Sequence, residues 1–131
     1  MSTTADLATQ GPSYDTGNDS IVIVKVLKAI PGGKTLDVTG FTPDVIPAGH
    51  LLIEETATGV LKPMPVSGAN YAALPASHTY AGVLISTILK AKPFAGIMVK
   101  GTVNKNASFY GIASVLTAVK AALPLVRFTQ D

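Results

Sequence analysis

The chain has 131 residues, a mass of 13.4 kDa and a formal net charge of +2. That is the length of one domain, enough to bury a core without covalent staples. The absence of cysteine excludes disulfides, zinc–thiolate sites and a thiol nucleophile. Only 14% of the residues are charged, against about 25% in an ordinary globular domain. A small domain normally covers its surface with charge, so much of this surface has to be neutral, and neutral surface tends to be covered by a partner.

Ten basic residues against eight acidic ones are too evenly balanced for a nucleic-acid footprint, which wants a basic stripe. No apolar run approaches the roughly 20 residues that span a bilayer. The start, MSTTADLATQ, is polar and lacks the basic and apolar regions of a secretory signal. The expectation is therefore synthesis in the cytoplasm, with neither membrane nor nucleic acid as partner. The sequons at Asn18 and Asn106 are then chance occurrences.

Residues 1–20 are rich in Ser, Thr, Gly and Asp, with Leu7 the only large aliphatic after Met1. They cannot bury enough apolar area to offset their ordering entropy, so they read as an N-terminal arm. The single domain expected over 21–131 opens on IVIVKVLKAI (21–30), a β-branched run that predicts a strand. Its first four residues are apolar on both faces, so both sides are covered or one side is an interface. PGGK (31–34) is a turn, and KTLDVTG can return as a second strand. LLIEE (51–55) is a short strand, and VLKPMPV, with Pro63 and Pro65, is an edge or irregular segment. Residues 67–82 form a long loop of small residues, of the kind that serves function or an interface.

VLISTIL (83–89) predicts a strand, and IMVKGTVN (97–104) alternates as one, with Ile97, Val99 and Val103 on a single face. Gly101 on that apolar face suggests a bulge or close packing. The period then changes. Ile112, Val115, Leu116, Val119 and Leu123 make one stripe of an amphipathic helix near 109–123, N-capped at Ser108 and stopped by Pro124. Its back, with Ala113, Ser114, Thr117, Ala118, Ala121 and Ala122, carries only Lys120 as charge. Either the domain covers that back, or small residues let the helix approach a copy of itself. LPLVRF (124–129) can add a last strand. The fold class expected is mainly β (α+β): a small β barrel or sandwich with one C-terminal amphipathic helix.

The chemistry is sparse. His50 and Glu54 point the same way on a strand, yet two ligands do not make a metal site. GGKT (32–35) has Lys28 where a P-loop needs its first glycine, and leads into a strand-like segment. Glu54 and Glu55 face opposite sides and cannot flank one substrate, and no serine has a G-x-S-x-G context. The reading is a non-enzyme with no catalytic, metal or cofactor residues. Tyr71 and Tyr80 bracket the Ala-rich loop; they can stack on a sugar or base, or anchor the loop by packing.

Four segments, VIPAGHLL (45–52), TGVLKP (58–63), YAGVLIS (80–86) and VKGTVN (99–104), resemble the small head decoration proteins of tailed bacteriophages, the lambda-type capsid-stabilising family. The C-terminal FYGIASVLTAVKAALPLVRF resembles the close of short head fibre or auxiliary capsid proteins of some phages. The resemblance implies a β-tulip-like domain on the outer surface of the virion. It implies a homotrimer bound to the major capsid protein, with an N-terminal arm that orders by adding a strand to it. Thr3, Thr4, Leu7, Thr9 and Tyr14 would lie in that arm, and Tyr71, Tyr80, Val115, Ala118 and Ala122 are the candidate trimer or surface contacts. The competing expectation is the capsid-anchoring base of a head fibre, or a receptor- or glycan-binding module using the Tyr71–Tyr80 loop.

Overall fold

Two runs form strands with the bounds read from sequence. LLIEE is β4 (Leu51–Glu55) and IMVKGTVN is β11 (Ile97–Asn104). They belong to one sheet of the computed structural model, which describes residues 19–129. The chain is mainly β with one helix beyond a single N-terminal turn, as the composition of its segments led one to expect. The sheet also contains β1 (Ile23–Ala29), β5 (Leu61–Pro63), β8 (His78–Leu84) and β12 (Val126–Thr129). Its order is β1-β11-β8-β4-β5, with β12 parallel alongside β11 and every other pairing antiparallel. Pro63 ends β5 on the edge, where a missing N–H costs no ladder bond.

The centre of this sheet is buried on both faces. Leu51, Ile53, Val83, Met98 and Val103 join one core with Val119, Val126 and Phe128. Leu52, Leu84 and Ile97 join a second core with Leu36, Phe41 and Ile46. Consecutive apolar residues, as in Leu51-Leu52-Ile53, are what a strand covered on both sides requires. Small ladders close the second core: β2 (Lys34–Thr35) pairs with β10 (Phe94–Ala95), and β3 (Val45–Ile46) with β9 (Ile88–Leu89).

Several expectations are corrected. IVIV is not a doubly covered strand: residues 19–22 make one helical turn, α1 (Asp19–Val22), and of Ile21, Val22, Ile23 and Val24 only Val22 is buried. Val24 (50% exposed) and Leu27 (56%) stand in the open, because β1 is the sheet edge. The turn at PGG is present, with Gly33 N donating to Ile30 O at 3.2 Å. The strand after it pairs with β10 rather than with β1. Part of the long loop is a hairpin of β6 (Val66–Ser67) and β7 (Asn70–Tyr71), and β8 already begins at His78. β8 ends at Leu84, and Ile88–Leu89 form the separate β9.

The helix is shorter than its apolar stripe: α2 spans Leu116–Ala122, and Val115, not Ser108, is its N-cap, with no side-chain cap bond. Gly111 is engaged elsewhere. Its N–H donates to Ala69 O (2.8 Å) and its carbonyl accepts from Tyr71 N (3.1 Å). A backbone held by the β6–β7 hairpin cannot also supply a first helical turn. The stripe itself is right, since Ile112, Val115, Val119 and Leu123 are all buried.

β11 serves three neighbours and is irregular where it does so. Ile23 and Lys25 face Val103 and Thr102, and Val26 and Lys28 face Gly101 and Lys100. Val24 and Leu27 are thus extra residues, two bulges on β1. The close packing suggested for Gly101 is found: a Cβ there would collide with the Lys25 carbonyl oxygen. Gly101→Ala is expected to destabilise the protein by about 2–3 kcal/mol. Urea unfolding checks this, and an unchanged midpoint would contradict the packing described.

Candidate functional site

His50 lies where the two cores meet. It is 1% exposed and ringed by Phe41, Tyr71 and Tyr110, with centroid separations of 5.4, 5.2 and 5.4 Å. Its Nε2 lies 2.9 Å from Met64 O. A carbonyl only accepts, so Nε2 carries the proton and Nδ1 the lone pair. Nδ1 has no partner among the described residues. Burial pushes the imidazole pKa down to about 4, against the opposing pull of the Met64 bond. His50 is therefore neutral at neutral pH, and it is buried in the core.

The two tyrosines weighed as a stacking platform are core residues. Tyr71 is 4% exposed and its hydroxyl accepts from Leu51 N at 3.1 Å. Tyr80 is 8% exposed and packs in the same core. Burial raises the hydroxyl pKa of both. The hairpin folds Tyr71 under the loop, so packing is the role that holds and neither ring is available to a sugar or base. Val115 is likewise a core residue, whereas Ala118 and Ala122 lie open on α2. Thr3, Thr4, Leu7, Thr9 and Tyr14 lie outside the described residues.

His78 faces another way. Its Nδ1 donates to Ala76 O (2.8 Å), leaving Nε2 to accept from Lys62 Nζ at 3.3 Å. Lys62 also lies 3.6 Å from Glu55 Oε2. This ion pair edges a surface cavity of about 240 Å³, lined also by Asp37, Phe41 and three prolines. Hydrogen bonds from the Thr39 side chain and from Thr39 N (3.0 Å) lower the Asp37 pKa. Glu54 pairs with Thr79 and Glu55 with His78 across β4 and β8, so His50, His78 and Glu54 do not converge. Among the described residues no three His, Asp or Glu groups lie close enough to hold a metal ion. No helix of the described residues is long and apolar enough to cross a membrane.

The polar constellation that sequence reasoning missed is at the base of the N-terminal segment. Both carboxylate oxygens of Asp19 accept from Thr87, from its N–H (2.9 Å) and its hydroxyl (2.6 Å). The same hydroxyl oxygen accepts from Ala48 N at 3.0 Å. This chain of bonds ties Asp19, the first described residue, to Thr87 and through it to Ala48. Asp19 and Thr87 are 68 positions apart, and nothing local to either marks the pairing.

The outer face of α2 is the other open feature. Ala113, Ser114, Thr117, Ala118, Ala121 and Ala122 are exposed, with Lys120 the single charge among them. Among the described residues nothing covers this back. Comparison of the chain with protein-family models, with curated proteins and with solved structures finds no match.

The His50 pKa sets a pH dependence. The unfolded histidine titrates near 6.5 and the folded one near 4. Across that window the unfolded chain binds more protons, so stability is full above pH 6.5 and falls as pH drops toward 4. The loss attributable to His50 is about 3 kcal/mol. It is read as the difference in urea-unfolding free energy between the native chain and His50→Leu from pH 7.5 to 4. Parallel curves for the two proteins would contradict it.

Proposed function

We propose that the chain is a structural virion protein that binds the outer surface of a phage capsid as an oligomer, a trimer, and decorates or stabilises it. The observation that carries the reading is the charge-poor outer face of α2, with Lys120 its single charge, left open by the described residues. Small side chains let two helices approach closely, and a charge-poor surface loses little on desolvation. A surface of this kind suits permanent burial between copies.

Two further features support it. The four segments that carry the family resemblance contribute β4, β5, β8 and β11, which are adjacent in the sheet in the order β11-β8-β4-β5. Signatures scattered over 60 residues of sequence thus meet in one architectural unit. The Asp19–Thr87 clamp holds the residue that follows the proposed arm in sequence. An arm that folds on a capsid partner gains from a rooted base, because less freedom is lost on binding. Many copies with trimer avidity can then tolerate weak individual contacts.

Light scattering of the purified chain at micromolar concentration is expected to give a trimer mass. Ala118→Glu with Ala122→Glu should convert it to monomers with little change in thermal stability, since both positions are exposed. Deleting residues 2–18 should leave the trimer intact and weaken co-sedimentation with expanded shells of a major capsid protein. A native monomer that ignores such shells would sink the proposal.

A further inference from the structure

The ten basic residues of the chain are not spread evenly. Strands β1, β11 and β12 carry Lys25, Lys28, Lys100 and Arg127 and no acidic residue. The pairing register puts these four on one face. Lys25 is opposite Thr102, and Thr102 is opposite Arg127; Lys28 is opposite Lys100. Directly paired residues project from the same side of a sheet, and so do Lys100 and Thr102, two apart on β11. The other side of these strands holds Val103, Val126 and Phe128 in the core.

The Leu27 bulge makes the cluster. In a regular strand residues three apart point to opposite faces, so Lys25 and Lys28 would part. The extra residue restores Lys28 to the face of Lys25 and sets it against Lys100. Like charges placed opposite each other destabilise a ladder. All four cations are exposed, and the ion pairs of the described residues, Lys62–Glu55 and Lys90–Asp44, involve none of them. With strands about 4.8 Å apart, the row from Arg127 to Lys25 spans about 10 Å.

We propose that the outer face of β1, β11 and β12 docks an acidic surface of another protein; resting on the function proposed above, that partner is the capsid shell protein. Charge selects the occupant. A second copy of the same face would set four cations against four. Nucleic acid is the poorer fit, because the only aromatic residue on the three strands, Phe128, is buried, leaving no ring for bases to stack on. Exposed Val24 and Leu27 at the two bulges add the apolar contact that protein interfaces combine with charge.

The test uses the full chain and a fluorescein-labelled polyglutamate chain as probe, read by anisotropy at rising salt. Binding should weaken about tenfold in Lys100→Glu with Arg127→Glu, and also, less steeply, in the milder Lys100→Gln with Arg127→Gln. Lys92→Glu, in the turn between β9 and β10, should leave it unchanged. Binding insensitive to both double variants would overturn the proposal. So would tighter binding to a single-stranded oligonucleotide or to phosphatidylglycerol vesicles at equal salt. Polyglutamate binding that emerges only on deletion of residues 2–18, which hold Asp6 and Asp15 and no base, would assign the face to the chain's own segment. Shell co-sedimentation separates the two proposals. Shells bound equally well by the charge-reversed variant overturn this face alone, whereas shells not bound by the native chain, with probe binding intact, overturn the decoration role.

Discussion

The sheet turns on the demand placed on β11, which must pair with β8 at one end, with β12 at the other, and with β1 along most of its length. A strand has two hydrogen-bonding edges, so three partners have to divide them. β8 takes Ile97 and Met98, and β12 takes Gly101–Asn104. Gly101 lies where the second begins and where β1 approaches too closely for a side chain. The bulges on β1 absorb the mismatch in length between the two strands. Displacing this crossing would separate Val103, Val126 and Phe128, which knit the sheet to the α2 core.

What sequence reveals of such a fold follows from the range of each interaction. β4 and β11 are legible because apolar composition marks both runs, even though Leu51-Leu52-Ile53 and Ile97-Met98 are buried consecutively rather than in alternation. The inward stripe of α2 is legible because Ile112, Val115, Val119 and Leu123 keep a helical spacing through the turns before the helix starts. The start itself is not legible. It depends on Gly111 bonding to Ala69 and Tyr71, 40 residues away, and tertiary bonds override local preference. IVIV misleads for a related reason: four aliphatics announce burial wherever they sit, yet neighbours decide it, and the edge strand has a neighbour on one side only.

The candidate sites divide in the same way. Residue type marks Tyr71 and Tyr80 as versatile, and the sequence leaves stacking and packing both open. The Leu51 N–H bond to the Tyr71 hydroxyl and the rings around His50 settle that choice for packing. The exposed backs of Ala118 and Ala122 follow from the helical period once Val119 is placed inward. The Asp19–Thr87 clamp could not have been read, since each partner is an ordinary polar residue until the fold joins them.

The scarcity of charge acquires a different meaning once positions are known. A low charged fraction suggests a uniformly neutral surface, but the few charges here are sorted. The charges on the outer face of β1, β11 and β12 are all basic, while Asp37 and Lys62 line the cavity, Glu55 pairs with Lys62, and α2 carries only Lys120. Net charge averages over that sorting, and so +2 conceals a face of four cations. Sorting of this kind lets one small domain keep contacts of different chemistry apart. A helix of small neutral residues can pack against its own copies, and a basic face cannot. Two surfaces of such different chemistry, a charge-poor helix and a row of cations, cannot substitute for each other in a contact.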